Sequence, residues 1–312
     1  MKQITYGYNK MLAKFSIIVI AIFLIAACDG EFAFFKEEDM SSKIITLQLG
    51  ESGDTLVKRL ALDERKNIDH QPVGVNFYNQ RFKSGELPTL RLDHGRYTFE
   101  IPNALRYKAA EAVKRKERGV EKLWVTWLFR NKTGAAIAHT EARLTMTAFL
   151  KRLTDLGWRN MISYSEPRLT GDESYRYRES DVIYPPDPAY LPDMDTWMKL
   201  DSGRIWRLYA DGVIIEVGFH RNSEYMDPAG NGEHLLLLDA YPVESYAQAH
   251  FEYEVKEQWQ ELWVDEIKRL KRIRYQKETE LIKQGYHIDT SYQDPLIHPA
   301  DPVEPDMTDT SE

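Results

Sequence analysis

Short apolar runs and alternating apolar–polar runs predict β-strands over much of the chain. Asp211-Gly212 separates two of these runs and favours a type I′ turn, so the pair is predicted to form a hairpin. The run at residues 235–238 consists of four leucines and is typical of a buried strand. The runs cover residues 44–49, 73–78, 90–92, 97–101, 123–129, 161–164, 205–209, 213–219 and 235–238.

Apolar residues at spacings of three and four predict two amphipathic helices. The first covers about residues 138–156, with Leu144, Phe149, Leu153 and Leu156 on its buried face. The second, over about 254–284, is roughly 46 Å long at 1.5 Å per residue. We expect a helix of this length to project in part from the domain or to pack across a domain boundary. Its apolar stripe consists of Val255, Trp259, Leu262, Trp263, Ile267, Leu270 and Ile273.

A third helix is predicted over residues 103–118 from its ends, with Asn103 as the N-cap and Gly119 as the stop. Together the elements predict an α+β fold. It has a β-rich N-terminal lobe, residues 43–102, and a larger mixed α/β C-terminal lobe, residues 103–292, which contains the long helix. The pattern leaves open whether the N-terminal lobe is a separate domain.

Two segments lack a regular pattern of apolar residues. Residues 167–200 hold several prolines and tyrosines, and an irregular connection this long is either functional or flexible. Residues 293–312 are acidic and rich in proline, and we expect them to be disordered.

The first 27 residues have the features of a secretory signal peptide. Residues 1–14 carry three lysines and no acid, and residues 15–27 are uncharged and mostly apolar. A helix of the apolar stretch would be about 20 Å long, short of the roughly 30 Å hydrocarbon core of a bilayer. We therefore expect residues 1–27 to be removed and residues 28–42 to act as a tether. The alternative is an uncleaved membrane anchor.

The sequence Leu-Ile-Ala-Ala-Cys at positions 24–28 resembles the lipobox of bacterial lipoproteins. The resemblance implies that Cys28 receives diacylglycerol and becomes the acylated N-terminus, which anchors the protein stably to a membrane from the periplasmic side. Asp29 resembles the inner-membrane retention signal of enterobacterial lipoproteins. Inner-membrane attachment is therefore favoured, and the outer membrane is the alternative.

Net charge argues against nucleic-acid binding, and cysteine content excludes disulfides and cysteine-based zinc sites. The formal net charge is −8, and it becomes −11 when Lys2, Lys10 and Lys14 leave with the signal peptide. So acidic a protein lacks the basic footprint that nucleic acids require. Cys28 is the only cysteine in the sequence, so neither an intrachain disulfide nor a cysteine-based zinc site can form.

The sequence lacks the motifs of common enzymes and cofactor sites. Gly-x-Ser-x-Gly, His-Glu-x-x-His and the glycine-rich nucleotide motifs do not occur. His220 and His234 flank a loop that contains acids, and together they could hold a metal ion, but ordinary polar loop residues explain the pattern as well. We expect no catalytic residue, no metal and no cofactor, and hence no enzyme.

An acidic, aromatic-rich domain without such motifs is typical of a protein-binding module, because Tyr and Trp are enriched at interfaces. The candidate contacts are a basic cluster that contrasts with the overall charge and two tyrosines from the segment 173–200. A solvated helix face is the alternative interpretation of the cluster. The six residues are Lys114, Arg115, Lys116, Arg118, Tyr184 and Tyr190.

In its lipobox, its size and its two-lobed α+β character, the chain resembles the lipoprotein immunity proteins that are paired with type VI secretion phospholipase effectors. The resemblance implies a periplasmic protein that binds and neutralises a lipase toxin. The alternative is an accessory or structural lipoprotein of a cell-envelope or secretion complex, with the long helix as its docking element. A hydrolase with an unrecognised site is a third possibility.

Overall fold

A computed structural model of the protein describes residues 43–83, 85–129, 136–179, 183–299 and 301. The strands are β1 (Ile44–Leu47), β2 (Ile68–Gln71), β3 (Val75–Arg81), β4 (Thr89–Leu92), β5 (Phe99–Ile101), β6 (Ala104–Ala112), β7 (Val120–Phe129), β8 (Ile137–Ala138), β9 (Arg159–Asn160), β10 (Gly203–Ala210), β11 (Val213–Arg221), β12 (Asn231–Gly232) and β13 (His234–Pro242). The helices are α1 (Gly53–Leu60), α2 (Glu64–Asn67), α3 (His139–Asp155), α4 (Gly171–Glu179), α5 (Met194–Lys199), α6 (Val243–Gln248) and α7 (Trp259–Lys283). Short 3-10 turns cover Gly95–Tyr97, Val113–Arg118 and Lys256–Gln258.

The centre of the fold is an eight-stranded sheet with the strand order β2-β3-β6-β7-β13-β11-β10-β9. Every pair of neighbours in this sheet is antiparallel. A three-stranded sheet has the order β1-β4-β5, in which β1 is parallel to β4, and β8 pairs with β12. With these sheets and a long C-terminal helix the fold is α+β, as the sequence predicts.

One face of the large sheet packs on the main core. On β7, the alternate residues Leu123, Val125 and Trp127 are buried on this face. The Trp127 ring lies 5.5 Å from the ring of Phe149 in α3, which in turn lies 6.1 Å from the ring of Phe99 in β5. Because side chains alternate along a strand, the residues between them belong to the opposite face of the sheet.

The long helix α7 covers one end of this second face. Trp259 and Trp263 of the helix are buried in one cluster with Ile214 of β11 and Tyr241 of β13. The predicted apolar stripe is therefore core at Trp259, Trp263, Ile267 and Leu270, whereas Val255 and Leu262 are 36% and 37% exposed. The helix itself begins at Trp259, later than predicted, because a 3-10 turn precedes it.

Beyond Leu270 the buried stripe of α7 becomes charged. Arg274 donates hydrogen bonds to both carboxylate oxygens of Asp294, at 2.8 and 2.9 Å, and to the backbone carbonyls of Ser163 and Glu166. One turn later, Glu278 accepts two hydrogen bonds from the guanidinium of Arg168. Buried residues continue to Leu281, so the helix packs along its whole length and does not project.

The prediction of a helix over residues 103–118 is wrong. Residues Ala104–Ala112 form β6, which lies between β3 and β7, and a 3-10 turn follows. The segment is rich in Ala, Lys, Arg and Glu, which favour helix locally, but pairing on both sides outweighs that preference. Asn103 lies in the bend before β6 with φ of +55° and caps no helix.

Three smaller predictions also need correction. Leu144 is 48% exposed, because the buried face of α3 instead runs through Ala142, Met146, Leu150 and Leu153. Residues 161–164 follow the short strand β9 and are not themselves a strand. The segment 167–200 is not irregular throughout, since it contains α4 and α5.

The Asp211-Gly212 hairpin is confirmed. Both residues have positive φ, 40° and 78°, as a type I′ turn requires. β10 and β11 pair across this turn, with Ala210 opposite Val213.

Residues 43–102 are β-rich, but they share a sheet with the rest of the protein. β3 pairs with β6 along seven residues, and the described residues all belong to one compact unit that begins after Met40.

The expected disorder from residue 293 is wrong for residues 293–299. Asp294 pairs with Arg274, and Tyr164 donates its hydroxyl to the carbonyl of Pro295 at 2.5 Å. These contacts hold the segment against α7 and the loop after β9. Residues 302–312 lie outside the described residues.

Candidate interaction surface

The predicted anchor lies outside the described residues. This applies to the signal peptide (residues 1–27), to Cys28 and Asp29, and to the tether up to residue 42. Among the helices that the structure describes, none combines the length and the apolar character needed to cross a membrane.

The predicted basic cluster lies in the 3-10 turn that follows β6. Lys114, Lys116 and Arg118 are exposed, whereas Arg115 is half-buried. Arg115 forms ion pairs with Glu121 at 3.3 Å and with Glu257 at 3.1 Å. The turn is therefore tied to the segment before α7, and its role as a partner contact stays a prediction.

The two tyrosines from the segment 173–200 have different environments. Tyr184 is fully buried, and its hydroxyl donates to the carbonyl of Pro167 at 2.9 Å. Its prediction as a partner contact is wrong, because a buried phenol with an internal hydrogen-bond partner belongs to the core. Tyr190 is half-buried, with its ring 5.4 Å from that of Tyr175, and stays a candidate contact.

His220 and His234 do not form a common site. His220 is opposite Leu235 in the sheet and His234 is opposite Arg221, so the two histidines point to opposite faces. His234 instead lies 5.2 Å from the ring of His139. Burial, together with the charges of nearby Arg221 and His139, lowers the pKa of His234 to about 4. Within the described residues, no group of three potential metal ligands is found.

Among the residues that the structure describes, none covers the second face of the large sheet over β3, β6, β7 and the adjoining end of β13. Here the side chains that alternate with the buried core residues are half exposed, in contrast to those beneath α7. We call this surface the open sheet face. It is formed by Phe77, Asn79, Arg81, Arg106, Lys108, Lys122, Trp124, Thr126, Leu128 and Leu235.

Aromatic rings and cations lie next to each other on the open sheet face. The rings of Phe77 and Trp124 are 6.1 Å apart. The Lys108 ammonium lies 3.4 Å from the centroid of Phe77 and 5.4 Å from that of Trp124. Lys122 lies on the other side of Trp124, at 5.0 Å from its centroid. Cation–π attraction at these distances holds the lysine side chains along the rings.

The cations of the open sheet face differ in whether they have an acidic partner. Lys122 lies 3.5 Å from the carboxylate of Asp239, which also pairs with Arg204 at 2.5 Å. By contrast, Arg106 and Lys108 form no ion pair with any residue that the structure describes. Burial lowers the pKa of both groups, and the charge of a neighbouring arginine lowers each further.

Sequence reasoning missed this face. The strand containing Trp124 was predicted, and the alternation along Val120–Phe129 signals two unlike faces. The helix predicted over residues 103–118, however, includes Arg106 and Lys108, and it hides their position on a strand beside Trp124.

Comparisons with protein-family models, with curated proteins and with solved structures found no match for this chain. The open sheet face is therefore the main structural indication of what the protein does. That face combines two aromatic rings, their flanking cations and half-exposed leucines on a single sheet surface.

Proposed function

We propose that the protein is a bacterial lipoprotein, anchored at the periplasmic side of a membrane, that binds and neutralises a protein toxin. The resemblance in form favours a type VI secretion phospholipase effector as the toxin, with this chain as its immunity protein. The observation that supports binding is the open sheet face. On this face the described residues leave the aromatic side chains of Phe77 and Trp124 and the guanidinium groups of Arg81 and Arg106 accessible, and aromatic residues and arginine are enriched at protein interfaces.

Trp124 is the candidate anchor of the interface. It lies between Lys108 and Lys122 and beside Phe77, near the middle of the open sheet face. Residues that dominate binding energy are enriched in Trp, Tyr and Arg and lie near the centre of an interface, where a partner removes them from water. Because Trp124 is only half-buried in the free protein, a partner can still bury the rest of its ring.

The role as an accessory lipoprotein of an envelope complex would use the long helix as its docking element. Trp259, Trp263 and Ile267 of the apolar stripe are buried against the sheet, so that side of the helix is not available for docking. Docking through that stripe would require the helix to leave its own core.

Anchoring is tested by replacing Cys28 with serine. Because Cys28 is the only cysteine, this variant should remain an unprocessed precursor and should incorporate no labelled fatty acid. In wild-type cells the protein should fractionate with the inner membrane, and Asp29→Ser should shift it to the outer membrane. Equal acyl labelling of wild type and Cys28→Ser would contradict the anchor.

Neutralisation is tested in cells that lack the gene. These cells should grow normally alone and die beside sibling cells that deliver the toxin, and the wild-type gene should restore survival. Trp124→Ala should restore it poorly, because loss of a hot-spot tryptophan weakens binding by about 2 kcal/mol or more, roughly thirtyfold.

The matched control is Tyr275→Ala, which removes another exposed aromatic ring, 53% exposed on α7 and outside the open sheet face. This variant should protect cells as well as wild type. A deletion strain that survives every sibling attack but fails in secretion or envelope assembly would favour the accessory role instead.

A further inference from the structure

Three cations gather at one edge of the open sheet face. Arg81 and Arg106 are directly opposite each other on β3 and β6, and Lys108 follows Arg106 on the same face of β6. Arg81 is exposed and the other two are half-buried. Within the described part of the chain none of the three forms an ion pair, and the acid whose charge acts on Lys108 is Asp69 on β2.

This basic edge is not a consequence of overall composition, since the chain has a net charge of −8. Like charges opposite each other in a sheet destabilise the pair, and partial burial deprives them of water. The lowered pKa values of Arg106 and Lys108 have these two causes, burial first and a neighbouring arginine second. Bound carboxylates would relieve both the repulsion and the missing solvation.

The shape of the face favours a protein chain over a lipid surface. Insertion into a bilayer interface requires apolar side chains that reach about 5–10 Å into the headgroup region. Phe77 and Trp124 are half-buried among their neighbours, and the Lys108 ammonium lies across the Phe77 ring. A strand or loop of a partner can lie on such a surface without insertion.

We infer that the open sheet face binds an acidic stretch of a protein partner, with its carboxylates against Arg81, Arg106 and Lys108 and an apolar side chain against Trp124. The inference rests on the proposed function as a protein binder and specifies the chemistry of its partner.

The test uses residues 41–312, which contain the whole compact unit. The probe is a random copolymer of glutamate and tyrosine, immobilised for binding measurements at low and high salt. Arg106→Glu/Lys108→Glu should weaken binding at least tenfold, and Arg106→Gln/Lys108→Gln should weaken it by a smaller factor. Binding of the wild type should fall as salt rises, because the contacts are between charges near the surface.

The matched control is Lys151→Glu/Arg152→Glu, which makes the same change of charge at two exposed residues of α3, the helix that packs on the other face of the large sheet. It should change binding less than twofold. Circular dichroism and thermal unfolding show whether each variant is folded, and if the glutamate pair fails to fold, the glutamine pair decides.

Two outcomes of the binding measurements would overturn the inference. Equal losses in both glutamate pairs would mean that only total charge matters. Binding to phosphatidylglycerol vesicles but not to the copolymer would make the face a lipid-binding surface. The proposed function is separable from this test. If a folded Arg106→Gln/Lys108→Gln variant no longer binds the copolymer but protects cells fully, only the inference is overturned. If the wild-type protein binds the copolymer but does not protect cells, only the toxin role is overturned.

Discussion

Replacing Trp263 with alanine should lower the free energy of unfolding by about 3–5 kcal/mol, the usual range for truncating a buried tryptophan. Trp263 is fully buried, and its ring lies 5.7 Å from that of Tyr164 and 6.5 Å from that of Trp259. Truncation would leave a cavity between α7 and the sheet, which the two large neighbouring rings cannot fill by small movements.

The loss should appear in thermal unfolding as a fall of roughly 6–20 °C in Tm, at 2–4 °C per kcal/mol for a domain of this size. Leu262→Ala is the control, because Leu262 is the neighbouring residue on the same helix but is 37% exposed. It should cost about 1 kcal/mol or less. Equal Tm values for Trp263→Ala and wild type would mean that α7 is not packed on the sheet in solution.

Replacing Arg274 with methionine should also lower the free energy of unfolding by about 3–5 kcal/mol. Arg274 is 5% exposed. Its guanidinium donates hydrogen bonds to the carboxylate of Asp294 and to two backbone carbonyls. Methionine fills similar space but leaves the Asp294 carboxylate with Lys271 alone, at 3.3 Å, and leaves the carbonyls without their donor. The cost comes mainly from these buried groups that lose their partner.

Urea unfolding of Arg274→Met should therefore give a lower midpoint with an unchanged slope. The control is Arg269→Ala on the same helix. The Arg269 side chain is 53% exposed, so its ion pair with Glu266 should contribute at most about 1 kcal/mol. Arg274→Met/Asp294→Leu should recover part of the loss, since the double variant also removes the buried carboxylate that has lost its arginine partner. A double variant no more stable than the single one would contradict this account.

The two helix residues show how far the sequence could predict the structure. Trp263 lies in an apolar stripe that can be recognised locally, because spacings of three and four place its members on one side of a helix. Arg274 continues the same buried side, but its partner Asp294 lies twenty residues later in a segment with the composition of a disordered tail. No local pattern connects the two.

The same limit applies to the open sheet face. The hairpin at Asp211-Gly212 was predictable because two adjacent residues with positive φ determine it. The face depends instead on which strands are neighbours and on where α7 crosses the sheet. Asn103 and Gly119 predict the ends of a helix where β6 lies, and pairing with two neighbouring strands overcomes the local preference of its Ala, Lys, Arg and Glu residues for helix.

The strand order also determines when the chain can fold. β2, β3, β6 and β7 are successive in the sheet and can pair as soon as they are made, but the next neighbour of β7 is β13, from the last third of the chain. A chain that emerges N-terminus first, from a ribosome or a translocation channel, would hold the edge of β7 unpaired until β13 follows. Long-range pairing of this kind folds slowly, and an unpaired edge invites association with other chains. Late closure would therefore leave the first half of the sheet incomplete until the last third of the chain has emerged, and a chaperone that shields the edge of β7 during that interval should raise the yield of folded protein.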